Sequence, residues 1–245
     1  MDDQLAWLST TLADHGVDYW IESGTLLTTY RSGRLTEYDD DVDVAVWAGD
    51  LDALDAALPA VERRGYDVQI RSYDGHRYKY QLLPTGTAAD DRLVDVMIFR
   101  RAGGHAWTAQ SRLRRDVPGL STALDATSAL FERYARSAAG RIEMTAWPTR
   151  LLTEVLTLWL PLEFVGRRRY DADLGLYTPR DVEPYLTFRY GDWETPVEEW
   201  SLTDDNAVYR RDPESLFDEA DPEPNAPSPT PDPTGGNPER LVGEN

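Results

Sequence analysis

The 245-residue sequence predicts an α/β (α+β) fold. Three observations predict it. Helical and strand periodicities alternate through the first hundred residues, so helices and sheet share one unit. Two apolar stretches, Asp41–Trp47 and Arg92–Arg100, alternate like strands yet carry aspartates on one parity. A Pro-rich acidic stretch then closes the chain. Seven of the sixteen prolines fall between Pro222 and Pro238, a composition that buries too little apolar surface to offset its ordering entropy. The expected organisation is one folded domain over 1–203 and a disordered tail over 204–245.

In order, Asp3–Asp14 reads as a helix, with Leu5, Leu8 and Leu12 on one face and His15-Gly16 as its stop. Val17–Glu22 is a short strand. Ser23-Gly24-Thr25 opens a second helix over Leu26–Arg31, and Gly33 ends it. After the strand Asp41–Trp47, Asp50 starts a helix to about Arg64, with Pro59 as a kink point. Tyr66–Tyr73 and Arg77–Leu83 flank Asp74-Gly75 as a hairpin. Arg92–Arg100 is a further strand, closed by Gly103-Gly104. Ala123–Ala138 is expected to be helical and Thr149–Trp159 helix or strand. Glu163–Tyr170 reads as extended and Pro179–Tyr190 as a helix stopped by Gly191. In the tail, Leu216-Phe217 is an apolar pair that could dock.

Composition excludes several classes. There are 25 basic against 44 acidic residues, a net charge of −19. The stretch from Asp212 holds nine acids and one Arg, so residues 1–211 are strongly acidic as well. A duplex nucleic-acid partner is not expected, because phosphate backbones call for basic stripes. Lys79 is the only lysine. An acidic surface almost without lysine suggests a halophilic protein, in which salt screens self-repulsion; the rival reading is a coding bias toward Arg. With no Cys there is no disulfide and no thiolate metal site. No apolar run approaches the ~20 residues of a membrane span, and the acidic N-terminus does not read as a secretory signal. These features fit the cytoplasm, with peripheral association at the inner face of the membrane as a further expectation.

The chemistry concentrates between Trp20 and Val46. Asp39, Asp40, Asp41 and Asp43 stand at the mouth of an apolar strand. If that strand begins near Asp41, Asp41 and Asp43 share a face while Val42, Val44 and Val46 fill the other. Adjacent carboxylates repel unless a proton or cation lies between them, and Mg²⁺ uses one or two carboxylates plus substrate phosphates. Ahead of them, Ser23-Gly24 at a helix N-terminus lets backbone N–H groups approach a phosphate. Asp95 in LVDVMIF offers a third carboxylate.

Bland alternatives accompany each residue. The acidic run could be a solvated loop, although an EF-hand-type Ca²⁺ site lacks its Gly and distal Glu. Asp95 could be an ion-pair partner, Arg31 a helix-end residue favoured by the dipole, and Lys79 a solvent-facing strand residue. His15, His76 and His105 are scattered and read as structural or exposed. Asp192 could belong to a turn that caps a helix.

Ser23-Gly24 followed by Asp41-Val42-Asp43 and Val94-Asp95-Val96 resembles the nucleotidyltransferase superfamily. The likeness narrows to the LicD/fukutin-related family on Gly24-Thr25-Leu26-Leu27, Arg31 and Tyr38-Asp39-Asp40-Asp41-Val42-Asp43-Val44. It continues on Glu163-Phe164-Val165-Gly166, Pro179, Tyr185-Leu186-Thr187-Phe188-Arg189-Tyr190-Gly191-Asp192 and Pro196. Thr28 stands where many members have glycine, Tyr38 replaces the usual Trp, and residues 102–159 match no family motif. The resemblance implies a nucleotidyltransferase-like mixed β-sheet and a metal-dependent phosphotransferase. It would move a phospho-alcohol, of the phosphocholine or polyol-phosphate type, from a CDP-activated donor to a sugar hydroxyl of a glycan or glycolipid. Asp41 and Asp43 would hold Mg²⁺ or Mn²⁺, with Asp95 as third ligand or base and Asp39 assisting. Ser23, Gly24 and Thr25 would hold the donor phosphates, Arg31 would balance their charge, and Lys79 could contact a phosphate. Nucleotidyl transfer to a small molecule or protein, or an inactive binding module of the same fold, are the alternatives.

Overall fold

A computed structural model of the protein describes residues 2–36, 39–113, 140–145, 153–197 and 207–210. The expected helix Ala123–Ala138, the pair Leu216-Phe217 and Tyr38 lie outside these residues, as does most of the tail.

Helix α1 (Asp3–Asp14) begins where the Asp2 carboxylate accepts from the backbone N–H of Gln4, at 2.9 Å, which satisfies an orphan donor of the first turn. It buries Leu5, Leu8 and Leu12. Strand β1 (Tyr19–Ile21) leads into α2 (Ser23–Ser32), which starts three residues earlier than its apolar pattern suggests. Strand β2 (Asp41–Trp47) and α3 (Leu51–Arg64) follow. Pro59 lies inside α3, and Gly65 ends the helix at φ 110. A Cβ there would lie 2.7 Å from Thr87 Oγ1 and 2.8 Å from the Thr85 carbonyl, so only glycine fits. β3 (Tyr66–Tyr73) and β4 (His76–Pro84) form the expected hairpin; Asp74 and Gly75 both have positive φ, as its tight turn requires.

β5 (Leu93–Ala102), β6 (His105–Leu113), β7 (Gly140–Glu143) and β8 (Thr153–Pro161) complete most of the sheet. The ambiguous stretch around Thr149–Trp159 is thus strand where described, and β6 carried no clear sequence signal. Glu163–Tyr170 is not one extended run: Leu162–Val165 makes a helical turn, α4, before β9 (Arg168–Asp171). β10 (Leu176–Pro179) pairs with β9, and α5 (Val182–Tyr190) follows. β11 (Val208–Arg210) pairs with β8, so the sheet takes in residues that the sequence assigns to the tail.

The main sheet is mixed. It runs β11-β8-β6-β5-β4-β3-β7, with β2 also on β5 and β1 on β2. The pairs β2–β5 and β3–β7 are parallel and the others antiparallel. Val42, Val44, Val46, Val94 and Val96 pack into one core with Leu5, Leu8, Leu12, Leu54 and Val61 from α1 and α3, as the strand alternation predicts. On the opposite parity of β2, the carboxylates Asp41 and Asp43 give way to buried Ala45 and Trp47. Trp47 packs against Trp20, ring centroids 5.1 Å apart and tilted by 46°, which closes that face behind the carboxylates. Among the described residues no helix is long and apolar enough to cross a membrane.

Candidate metal centre

Parallel pairing of β2 with β5 sets Asp43 directly beside Asp95 and Asp41 beside Leu93. All three aspartates occupy one face, because side chains two apart along a strand point the same way. One carboxylate oxygen from each of Asp41, Asp43 and Asp95 lies within 4.8 Å of the others. Asp95 thus joins the other two carboxylates by register as well as by parity.

Three carboxylates this close cannot all stay ionised cheaply. Burial, then the charges of Asp41 and Asp95, push the Asp43 carboxyl well above the usual carboxylate range. Asp41 is raised too, first by burial and then by Asp95. The cation that opposes both shifts among the described residues is Lys79. Its ammonium pairs with Asp95 Oδ2, and both side chains are buried. Lys79 is thus not solvent-facing; it is the site's internal counter-charge. Asp95 Oδ1 accepts from the Gln81 amide at 2.8 Å. An all-oxygen donor set of three carboxylates opposed by one ammonium suits a hard divalent cation.

The start of α2 is docked against Asp43. The Glu22 N–H donates to the Asp43 carbonyl at 3.1 Å, and the Asp43 N–H donates to the Thr25 hydroxyl at 2.7 Å. Ser23 adopts φ 48, the left-handed region that is costly for a residue with a Cβ. A Cβ on Gly24 would lie 3.9 Å from Asp43 Oδ2, so the turn abuts the carboxylates. Helix starts leave their first N–H groups without intrahelical partners; here they are offered beside the acidic cluster.

The other expected site residues make contacts within the fold. Thr25 is buried, and its hydroxyl ties the helix to the strand. Arg31 sits seven residues beyond Gly24, roughly 10 Å along the helix, where Nη2 donates to the Trp193 carbonyl. The Asp39 carboxylate accepts from the Thr36 hydroxyl at 2.8 Å and so closes its own loop. Asp40 and Asp192 are exposed. His76 and His105 are exposed and His15 bonds the Thr11 carbonyl, so none joins the cluster.

A buried cluster behind the turn was not foreseen. Glu22 is 0% exposed; it pairs with Arg189 and accepts from Tyr185 and, at 2.9 Å, from Trp20 Nε1. The downstream Tyr185–Tyr190 motif thus forms α5 and braces the residue that precedes Ser23.

Residues 16–117 match the family model described as LicD/FKTN/FKRP, nucleotidyltransferase domain. That match spans less than half of the chain, which over this stretch is similar to the LicD-type nucleotidyltransferase domain. The stretch is similar to uncharacterized protein RP689 of Rickettsia prowazekii (strain Madrid E), 39% identical over 64 residues, 26% of this chain and 24% of that protein. It is also similar to ribitol-5-phosphate transferase FKTN of Mus musculus, 27% identical over 110 residues, 42% of this chain and 22% of that protein. These matches span about a quarter of the relatives' own length. A solution structure of the antibiotic-resistance factor ANT(2'')-Ia aligns over 40% of this chain and 49% of that one. Its 22% identity and TM-score of 0.28 are too low for the two sites to be compared. The matched stretch encloses Ser23, Gly24 and all three aspartates; α5 lies beyond it.

Proposed function

We propose that the protein transfers a phospho-alcohol, of the polyol-phosphate or phosphocholine type, from a CDP-activated donor to a sugar hydroxyl of a glycan or glycolipid. The observation that carries this reading is the convergence of Asp41, Asp43 and Asp95 beside the Ser23-Gly24 turn. Asp41, Asp43 and Asp95 would hold Mg²⁺ or Mn²⁺, which when bound neutralises charge on the transferring phosphoryl group and acidifies a coordinated hydroxyl. The N–H groups at the start of α2 hold the donor phosphates, and the strained turn keeps them next to the carboxylates. The acceptor oxygen attacks the phosphorus distal to cytidine, the new O–P bond forms, and the P–O bond to CMP breaks. The hydroxyl proton leaves to Asp95 or to water, with Asp95 otherwise a third ligand. Lys79 supports the site through Asp95, and Arg31 holds the C-terminal segment.

Nucleotidyl transfer onto a small molecule or protein is the second reading, favoured by the domain's own description. One set of measurements separates them. Thermal shift against CDP-choline, CDP-ribitol and the common NTPs, with and without Mg²⁺ in high salt, should single out a CDP-alcohol that stabilises only with metal. Product mass should then show an added phospho-alcohol; an added nucleotide would replace the first reading with the second. Asp41→Ala and Asp43→Ala should stay folded and lose turnover, and full activity in both would refute a metal site at these residues.

A further inference from the structure

The metal cluster does not end at Asp95. Cross-strand pairing places Gln69, Gln81, Asp95 and Asp43 side by side across β3, β4, β5 and β2. With adjacent strands about 4.8 Å apart, this polar row spans roughly 14 Å of one sheet face. Gln69 is 0% and Gln81 8% exposed. Buried amides on a sheet face cost stability unless every polar atom is satisfied, and apolar residues would serve the sheet better.

Arg71 satisfies the oxygens of both amides. Its Nε donates to Gln69 Oε1 at 3.2 Å, its Nη2 to Gln81 Oε1, and its Nη1 to Ser111 Oγ at 3.0 Å. Among the described residues Arg71 has no carboxylate partner, so its charge is spent on two amide oxygens and a hydroxyl. That matters for Gln81, whose side chain has a donor end and an acceptor end. A guanidinium only donates, so Arg71 pins the Gln81 oxygen on its own side and turns the Gln81 NH₂ toward Asp95 Oδ1. Lys79 holds Oδ2. Both ends of the Asp95 carboxylate are therefore clamped by donors, and its remaining lone pairs serve the centre it shares with Asp41 and Asp43.

We propose that Arg71 and Gln81 are positioning residues: Arg71 orients the Gln81 amide, and Gln81 orients Asp95 as a ligand for a divalent cation. The metal half of this proposal rests on the reading of the site given above, whereas the Arg71–Gln81–Asp95 relay exists without metal. Residues that hold a ligating carboxylate typically alter metal affinity by about 10–100-fold when removed.

The experiment has two arms on the full chain. In the metal-free, ¹⁵N-labelled protein, the Gln81 side-chain NH₂ signal is assigned by its loss in Gln81→Asn, which keeps an amide but withdraws it from Asp95. It should move in Arg71→Met and stay in place in Arg77→Met, which breaks instead the ion pair to Asp55 on α3. In the second arm, Mn²⁺ affinity is measured by electron paramagnetic resonance without substrate. Arg71→Met and Gln81→Asn should bind roughly tenfold more weakly than wild type. Arg71→Lys should recover part of the loss, and Arg77→Met should match wild type within a factor of about two. Mn²⁺ affinities of Arg71→Met and Gln81→Asn that match wild type overturn the positioning role. A wild type that binds no Mn²⁺ removes the metal centre itself, and the relay is then judged on the NH₂ signal, whose constancy in Arg71→Met overturns it.

Discussion

Replacing Asp43 by Asn should stabilise the metal-free protein while removing its response to metal. Asp43 faces two carboxylates whose oxygens lie within 4.8 Å of its own. At an effective dielectric of about 20, each like-charge pair at that distance costs about 3.5 kcal/mol, partly offset by Lys79. The cost has a ceiling, because the folded protein can escape by taking up a proton. With an ordinary carboxyl value near 3.9 when unfolded, the penalty at about pH 7 stays below roughly 4 kcal/mol. The variant should therefore gain about 2–4 kcal/mol, at least roughly 4 °C in Tm for a chain of this size. The pH dependence has a defined sign. The Asp43 carboxyl is raised in the folded state, so below the unfolded value both states are protonated and nothing is lost. The penalty grows as pH rises above about 4, so the gap between variant and wild type should vanish in acid and open toward neutrality. Melts in EDTA across this range test it, with the exposed Asp40→Asn as a control for the loss of one negative charge. An Asp43→Asn protein that melts at or below wild type near neutrality, or that Mg²⁺ stabilises as strongly as wild type, refutes the reasoning.

Other outcomes follow from the same contacts. Arg189→Met should cost about 3–5 kcal/mol in urea unfolding, because it leaves Glu22 as an uncompensated buried charge; a loss under ~1 kcal/mol would show that the pair is dispensable. Arg31→Ala should loosen the segment at Trp193, read as faster amide exchange there, and leave metal affinity unchanged; a metal affinity lowered tenfold would place Arg31 in the site after all. Given the net charge of −19, Tm should climb with KCl well beyond the physiological range, and a plateau at physiological salt would dismiss salt adaptation.

The parts of the site that could be read from sequence are those with local periodicity. Asp41 and Asp43 share a face with each other because a strand alternates, and Val42 and Val44 confirm the parity from the core side. Asp95 was legible for the same reason. The contact between Lys79 and Asp95 was not, since it depends on how β4 and β5 slide past each other before pairing. Gln81, Gln69 and Arg71 gave no signal, because neutral amides carry no chemistry of their own and an Arg on a hairpin is usually solvated. Thr25 and Arg31 fit the family pattern, yet the structure uses both to hold α2 in place. The short helix starts early because Ser23 and Gly24, with little apolar character, still enter the helical turn once Leu26 can bond the Glu22 carbonyl. β6 escaped notice because its alternation mixes Trp107 with small and polar residues.

Glu22 carries three duties in one residue. Its N–H holds Asp43, its carbonyl starts α2, and its carboxylate anchors Tyr185 and Arg189 from α5. Residues 16–117 therefore do not form a transplantable module, although they contain every aspartate of the cluster. Cut free from α5, that stretch would keep a desolvated, partnerless anion directly behind the Ser23-Gly24 turn, and the turn would be the first thing to yield. The smallest unit able to hold the carboxylates in register extends at least to Arg189, and grafts or chimaeras built on this scaffold need to carry α5 with them.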